Sequence, residues 1–272
     1  MPLLTYERHG SGSTLVWLHG FTQTRESAHR FRTILAGSHE LLTTDLPGHG
    51  TASDVRATLN ETADLLASSL PDHPVALGGY SLGARVALHI ALRHRERLSA
   101  LIVLGASRGI EDASQRRERV VSDEALAARL ETIGTERFLD EWLAQPMFAT
   151  LPVDSRERQA RSTDAAGLAS SLRLCGTGTQ AFLGPRLASL SLPTLCLAGE
   201  RDQKFLAEAR AIAAGVTSAT MQSVPRAQHA AHLENPEASA RLVTTFLALA
   251  SSEEGHDEGA TNEELGHRGR LQ

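Results

Sequence analysis

Short apolar runs alternate with helix-like segments along most of this chain, and this alternation restricts its fold more than any other feature. Some runs, such as Leu98–Leu104, are almost continuously apolar, which is typical of strands buried on both faces of a parallel sheet. The pattern therefore predicts an α/β fold with a mostly parallel central sheet covered by helices on both faces. The predicted strands lie at 14–18, 41–44, 74–78, 98–104, 194–198 and, more weakly, 219–224; the predicted helices lie near 24–36, 58–70, 83–95, 203–214 and 236–250.

The alternation stops between residues 108 and 186, which read as helices without a convincing strand. Ligands of open α/β sheets bind at the carboxyl ends of the strands. A helical segment inserted between two strands is therefore expected to form a cap that closes over the site and excludes water. The helices predicted within this cap lie at 122–132, 135–144 and 156–174.

These observations divide the chain into an α/β core and two further parts. The segment 251–272 is rich in Gly, Glu, His and Asn and has almost no apolar residues, so we expect an acidic, disordered tail. The predicted parts are a core formed by 1–107 and 187–250, a helical cap at 108–186 and the tail at 251–272.

Composition excludes several classes of protein. The net charge of the 272 residues is −5, and the tail alone carries six acids and two arginines, so the body is close to −1 and offers no nucleic-acid surface. No apolar run approaches the roughly 18–20 residues of a membrane span. Two cysteines cannot form a disulfide framework or a four-cysteine zinc site. With no secretory signal read at the N-terminus, we expect a cytoplasmic protein without membrane or metal partners.

The segment Gly79-Tyr80-Ser81-Leu82-Gly83 fits the G-x-S-x-G pattern of a nucleophile elbow. It follows an apolar strand and opens a helix, which is the context that this motif requires. The two glycines remove side chains that would clash in the sharp turn, and the start of the helix places backbone N–H groups beside the hydroxyl of Ser81. We interpret Ser81 as the catalytic serine.

A serine hydroxyl needs a histidine to take its proton and a carboxylate to orient that histidine. In this architecture the partners follow the serine in the order acid, then histidine. Asp202, just past the strand at 194–198, is the candidate acid, with Glu200 as its rival. His229, past the final strand, is the candidate histidine, and His232 is its rival, expected to cap or line the pocket instead.

The first apolar strand leads into His19-Gly20-Phe21. In the same architecture this loop supplies one backbone N–H of the oxyanion hole, here from Phe21, and the residue after the serine, Leu82, supplies the other. His19 is expected to be structural.

Six segments together resemble one family. They are WLHGF at 17–21, DLPGHG at 45–50, GYSLGAR at 79–85, QPMF at 145–148, GERDQKF at 199–205 and HAAHLENP at 229–236. In combination they are similar to the 2-succinyl-6-hydroxy-2,4-cyclohexadiene-1-carboxylate synthase (MenH) family of the α/β-hydrolase superfamily. The resemblance covers about residues 14–250, and the only lysine of the chain, Lys204, falls in one of the more specific segments.

The resemblance implies a lyase that works without a cofactor. Such enzymes eliminate pyruvate from 2-succinyl-5-enolpyruvyl-6-hydroxy-3-cyclohexene-1-carboxylate in menaquinone biosynthesis, and their activated serine acts as a base. The matching positions here are Ser81, Asp202 and His229. The chain departs from the family pattern at two places. Ala84 stands where the family commonly has glycine. The segment 104–108 stands where the family has a glycine-rich stretch that contains a histidine.

The implied substrate carries three carboxylates, which require cationic and fork-shaped partners. Arg85 lies four residues after Ser81, on the same face of the elbow helix. The resemblance further implies substrate-binding roles for two arginines of the cap and for two aromatic residues. These are Arg119, Arg161, Trp142 and Tyr80.

Two other functions remain open from the sequence. A serine hydrolase that cleaves esters or carbon–carbon bonds in small carboxylated substrates would use the same triad through an acyl-enzyme or a hydrated intermediate. A non-catalytic binding protein of this fold would commonly lack one triad member, whereas this chain keeps all three.

Overall fold

The structure, a computed structural model, describes residues 4–152 and 154–266, with side chains up to residue 252. Its centre is one seven-stranded sheet, in which every neighbouring pair is parallel except the pair at one edge. The strands are β1 (Glu7–His9), β2 (Thr14–Leu18), β3 (Glu40–Thr44), β4 (Val75–Tyr80), β5 (Leu98–Leu104), β6 (Thr194–Gly199) and β7 (Ala219–Val224), and their spatial order is β1-β3-β2-β4-β5-β6-β7. The predicted mostly parallel sheet is confirmed.

Ten α-helices accompany the sheet within the described residues. They are α1 (His29–Ala36), α2 (Leu59–Ser69), α3 (Leu82–Arg93), α4 (Ala113–Ile133), α5 (Thr135–Leu143), α6 (Ser155–Gln159), α7 (Ala165–Cys175), α8 (Gln203–Gly215), α9 (Ala231–Glu234) and α10 (Pro236–Gly266). None of these helices is both long enough and apolar enough to cross a membrane.

The sheet separates two apolar layers. One layer contains Leu66 of α2, Ala87 of α3 and Ile212 of α8, and the other contains Phe31 of α1 and Val243 of α10. Because both faces are covered, β4 is buried along its whole length, as a strand in the middle of such a sheet must be.

The insertion between β5 and β6 is helical, as the sequence predicts, and consists of α4 to α7. The helix predicted at 156–174 is instead two helices, α6 and α7, and the helix predicted at 122–132 begins nine residues earlier. Both differences follow from N-caps: Asp112 accepts a hydrogen bond from the backbone of Gln115 at the start of α4, and Asp164 accepts one from Gly167 at the start of α7.

The last helix, α10, runs to Gly266 and so continues into the segment for which composition predicts disorder. No proline interrupts the chain after Pro236, so a helix that is packed on the sheet through Val243 and Leu247 can continue by adding one backbone hydrogen bond per residue. Residues 267–272 of the predicted tail lie outside the described residues.

Candidate active site

Ser81 occupies the turn between β4 and α3 with a positive φ (φ 52°, ψ −104°), which a residue with a side chain disfavours. Its backbone N–H donates to the carbonyl oxygen of Leu104 at 2.9 Å, which holds the turn against β5. A methyl group on Gly79 would come within 2.5 Å of the Gly83 carbonyl carbon, and one on Gly83 would collide with the carbonyl of Leu18. The strained turn is therefore possible only with glycine on both sides of the serine.

Three side chains that are far apart in sequence meet at this turn. His229 Nε2 lies 3.2 Å from Ser81 Oγ, and His229 Nδ1 lies 3.1 Å from Asp202 Oδ2. Because a carboxylate can only accept, Nδ1 carries the proton and Nε2 is free to accept from the serine hydroxyl. The arrangement can move a proton from Ser81 to His229 while Asp202 stabilises the imidazolium that forms.

The carboxyl ends of three parallel strands bring these residues together. Asp202 follows β6 and caps α8, since its Oδ1 accepts the backbone N–H of Phe205 at 3.2 Å. The ring of Phe205 in turn packs on His229 with centroids 4.2 Å apart. The rival acid, Glu200, points elsewhere: its Oε2 accepts the backbone N–H of Arg226 at 2.8 Å. Geometry therefore pairs Asp202, and not Glu200, with the histidine.

The rival histidine, His232, is buried behind the site. Its ring lies 4.2 Å from the ring of Tyr80, and its Nε2 lies 3.4 Å from the Nε2 of Gln23. Burial, together with the charges of His229 and Arg161, lowers the pKa of His232 to about 3. It is therefore a neutral group that supports Tyr80 and Gln23, and it does not reach the serine.

Phe21 and Leu82 line the cavity beside Ser81, and neither backbone N–H donates to any described residue. Leu82 N–H is unpaired because it opens α3, where no preceding helical carbonyl exists. His19 holds the other side of the loop, since its Nε2 accepts from the backbone of Leu46 at 3.0 Å while its Nδ1 donates to the carbonyl of Gly20 at 2.8 Å. The two unpaired backbone N–H groups, those of Phe21 and Leu82, could donate to an oxyanion that develops beside Ser81.

A cavity of about 340 Å³ lies above the serine, between the strand ends and the cap. Its described lining contains three cationic side chains, Arg85, Arg119 and Lys204, and no aspartate or glutamate. The polar members come from both core and cap, and the apolar wall combines aromatic with aliphatic and sulfur-containing side chains. The cavity is lined by Arg85, Arg119, Lys204, Ser107, Ser122, Gln145, Ser171, Thr177, Tyr80, Phe21, Trp142, Phe148, Phe205 and neighbouring residues.

Comparison with known proteins places this site in a family. Residues 15–242 match the family model described as "Alpha/beta hydrolase family". The chain is 34% identical over 251 residues to the 2-succinyl-6-hydroxy-2,4-cyclohexadiene-1-carboxylate synthase of Photorhabdus laumondii, covering 89% of this chain and 88% of the relative. It is 35% identical to the synthase of Serratia proteamaculans over 243 residues, covering 86% and 92%. The chain belongs to the MenH family of α/β hydrolases.

Solved structures agree with this assignment. The structure of MenH from S. aureus superimposes with a TM-score of 0.85 at 30% identity, covering 92% of this chain and all of that chain. A thermophilic esterase from Thermogutta terrifontis, with malate bound, superimposes with a TM-score of 0.76 at 24% identity over 91% and 93%. The likeness to the esterase shows the fold alone, whereas the likeness to the curated synthases and to the S. aureus structure shows the family. The α/β-hydrolase fold and the MenH family expected from the sequence are both confirmed.

Of the three cationic side chains that line the MenH-like cavity, only Arg119 pairs with a carboxylate of a described residue. Arg85 donates from Nη1 to Gln180 Oε1 at 3.2 Å and has no acid within ion-pair distance among the described side chains. Burial, with the nearby charge of Arg119, lowers its pKa to about 10, so it remains charged at neutral pH. Arg119 donates from Nε to Asp123 Oδ1 at 2.7 Å, one helical turn along α4. Both arginines are candidates from the sequence, and both line the cavity.

Lys204 also lines the cavity, although no sequence pattern predicts a binding role for it. Its Nζ lies 5.2 Å from the centre of the Phe205 ring, and no carboxylate of a described side chain pairs with it. The available signal was its position: it is the only lysine of the chain and lies two residues after Asp202.

Arg161 is placed differently from the expectation drawn from the resemblance. It does not line the cavity; its side chain is buried, and its Nη1 donates to Thr22 Oγ1 at 2.6 Å. The reason is the break between α6 and α7, which packs against the turn that carries Phe21. Tyr80 and Trp142 do line the cavity, Trp142 with its ring 5.1 Å from that of Phe21.

Within the described part of the chain, no three His, Cys, Asp or Glu side chains are arranged to hold a metal ion. The described side chains and backbone of the site supply a proton relay, two unpaired N–H groups and a positively charged wall.

Proposed function

We propose that this protein eliminates pyruvate from 2-succinyl-5-enolpyruvyl-6-hydroxy-3-cyclohexene-1-carboxylate to give 2-succinyl-6-hydroxy-2,4-cyclohexadiene-1-carboxylate, a step of menaquinone biosynthesis. The observation that carries the proposal is the composition of the cavity. Ser81 and His229 of the Ser–His–Asp relay line it together with three cationic side chains, and its described lining contains no carboxylate. A substrate with three carboxylates fits such a wall, because charge-assisted hydrogen bonds to Arg are the strongest that proteins use for carboxylates. Near-full-length similarity to the curated synthases supports the same conclusion.

The change in double bonds defines the chemistry. The 3-ene becomes a 2,4-diene, so a proton leaves C2 and the electron pair of that C–H bond forms the C2=C3 double bond. The former C3=C4 pair moves to C4=C5 and expels the enolpyruvyl oxygen from C5. The released enolpyruvate gains a proton and becomes pyruvate. C2 is acidic because it lies beside the ketone of the succinyl group.

Each step has a residue of suitable geometry. Ser81 takes the C2 proton after passing its own proton to His229, and Asp202 keeps the imidazole oriented. As the proton leaves, negative charge develops on the ketone oxygen. The backbone N–H groups of Phe21 and Leu82 are the proposed donors to that oxygen. Arg85, Arg119 and Lys204 are the proposed partners of the substrate carboxylates, and Tyr80 and Trp142 line the ring-binding space.

The test is a direct assay of the purified protein on the enolpyruvyl substrate, following diene absorbance in the ultraviolet and pyruvate release in parallel. We expect both products in equal amounts from the wild type and a loss of at least about 10³-fold in kcat from Ser81→Ala. A wild type that forms neither product would overturn the proposal. Rapid turnover of simple aryl esters with burst kinetics would then indicate the alternative, a serine hydrolase acting through an acyl-enzyme.

A further inference from the structure

The residue after Phe21 has a backbone conformation that its side chain disfavours. Residues 20–23 form a turn in which the backbone N–H of Gln23 donates to the carbonyl oxygen of Gly20 at 3.1 Å. Thr22 occupies the third position of this turn with φ 67° and is completely buried. Turns with positive φ at that position favour Gly or Asn, and a β-branched residue there is a true outlier. Such strain persists only where the surroundings hold it.

The surroundings that hold Thr22 come from the cap. Arg161 donates from Nη1 to Thr22 Oγ1 at 2.6 Å, and the backbone N–H of Ser162 donates to the carbonyl oxygen of Thr22 at 2.8 Å. Both groups belong to the break between α6 and α7. A threonine is therefore useful at this position because it presents a hydroxyl to the cap, which glycine could not do.

The same contact continues along the loop from residue 20 to residue 28, here named the 20–28 loop. Thr24 Oγ1 and Ser27 Oγ both donate to the carbonyl oxygen of Ala160, at 2.5 and 3.1 Å. The backbone N–H of Ala28, the second left-handed residue of the loop, donates to Glu157 Oε2 at 2.7 Å. The cap segment 157–162 thus fixes both strained residues of the loop that carries Phe21.

From these contacts we infer that Arg161 is a positioning residue: through Thr22 it holds the turn that aims the Phe21 N–H into the cavity, and so couples the seating of the cap to the oxyanion site. This inference rests on the proposed function for its catalytic consequence. The Arg161 guanidinium acts on the reaction by fixing a backbone donor, whereas Arg85 and Arg119 act by facing the substrate.

The experiment compares Thr22→Val, which removes the hydroxyl and keeps the shape, with Thr22→Ser, which keeps the hydroxyl. Arg161→Met and the double variant Thr22→Val/Arg161→Met complete a cycle. We measure kcat and KM for pyruvate release, and amide hydrogen exchange of the 20–28 loop. We expect Thr22→Val and Arg161→Met each to lower kcat by about 10- to 100-fold with KM changed by no more than about 3-fold. Thr22→Ser should retain wild-type kcat, and the double variant should be no worse than the poorer single variant.

Hydrogen exchange gives a result that does not depend on turnover. Exchange in the 20–28 loop should accelerate in Thr22→Val and in Arg161→Met and stay slow in Thr22→Ser. A raised KM in Arg161→Met, with Thr22→Val indistinguishable from the wild type in rate and exchange, would show that Arg161 binds substrate directly and would overturn the inference. If the wild type releases no pyruvate, the proposed function fails, while unchanged exchange in both hydroxyl-free and arginine-free variants would separately reject the coupling.

Discussion

Arg85 is held by Gln180, a neutral side chain, at 3.2 Å from Nη1 to Oε1, and Gln180 is fixed in turn because its Nε2 donates to the carbonyl oxygen of Ser107 at 3.0 Å. A glutamate in place of this glutamine would satisfy the guanidinium and neutralise it. The amide instead orients Arg85 and leaves its charge available to a ligand in the cavity. This relationship leads to two predictions about substrate binding.

Replacing Arg85 with Met should lower kcat/KM for the enolpyruvyl substrate by about 10- to 150-fold, because a hydrogen bond between charged groups contributes roughly 1.5–3 kcal/mol. Steady-state kinetics of pyruvate release measures the change. Arg93→Met is the matched control, since Arg93 lies two turns along the same helix and pairs with Asp64 at the surface. Equal kinetics of the two variants would remove Arg85 from the binding site.

Converting Gln180 to Glu should weaken substrate binding although the side chain keeps its shape. The new carboxylate would pair with Arg85 and place a negative charge beside an anionic ligand, so we expect KM to rise by at least about 10-fold. Gln180→Met separates the two effects, because it removes the hydrogen bond without adding charge and should raise KM less. The idea fails if the methionine variant is the more impaired of the two.

Gly105 lies against the catalytic histidine. It has φ 62°, and a methyl group there would come within 3.0 Å of His229 Cε1. Gly105→Ala should therefore displace the imidazole and lower kcat by about 10-fold or more. Gly134→Ala is the matched control, since Gly134 has φ 78° with no neighbour within 4 Å of the added methyl.

Both substitutions should lower the free energy of unfolding by about 1–3 kcal/mol, because alanine disfavours a positive φ, and Gly134 (φ 78°, ψ 164°) lies in a region that essentially only glycine adopts. Only Gly105→Ala should lose turnover. Urea unfolding and steady-state kinetics of the two purified variants check this pair of expectations. Equal turnover in both variants would mean that the imidazole accommodates the methyl group.

The buried histidines predict how stability depends on pH. Burial lowers the pKa of His232, and also that of His49, from 6.5 to about 3 in the folded protein. Between these values the unfolded chain binds more protons than the folded one, so the free energy of unfolding falls as pH drops from 6.5 towards 3. Well above pH 6.5, where these histidines are deprotonated in the unfolded chain as well, neither contributes a slope.

His232→Gln should reduce this slope by up to about 1.4 kcal/mol per pH unit, the value for one proton, which is approached near pH 5 where the unfolded histidine is almost fully protonated. Urea unfolding of the variant and the wild type at pH 7, 6 and 5 measures the difference in slope, in which the contribution of carboxylates such as Glu157, whose pKa burial raises, is common to both proteins. His73→Gln, at an exposed histidine, serves as the control for the substitution itself. An unaltered slope in His232→Gln would contradict the role assigned to burial.

Sequence alone predicted the parts of the fold that depend on local pattern. The apolar runs of the sequence predict the buried strands from β2 to β6. The three triad residues, Ser81, Asp202 and His229, follow the ends of strands. Strand β1 was missed because Glu7–His9 is short and mostly exposed. It becomes a strand only by antiparallel pairing with β3, a partner more than thirty residues away.

Contacts between core and cap were beyond the reach of sequence patterns. The helix expected near 24–36 begins only at His29, because the preceding residues bond to the cap and not to a helix. The interpretation of Arg161 as a substrate ligand, drawn from the resemblance, is likewise replaced by its contact with Thr22. In both cases the decisive partner lies more than 120 residues away in the chain.

The cap enters after β5 and returns to β6, two strands that are neighbours in the sheet. A segment with such adjacent points of attachment can be exchanged between relatives without rethreading the core. The bonds from Ala160 and Arg161 to the 20–28 loop set a condition on that exchange. A transplanted cap would have to supply a hydrogen-bond donor to Thr22, as Arg161 does here. Without such a donor, the chimera would combine a new specificity with a misaligned turn beside the catalytic serine.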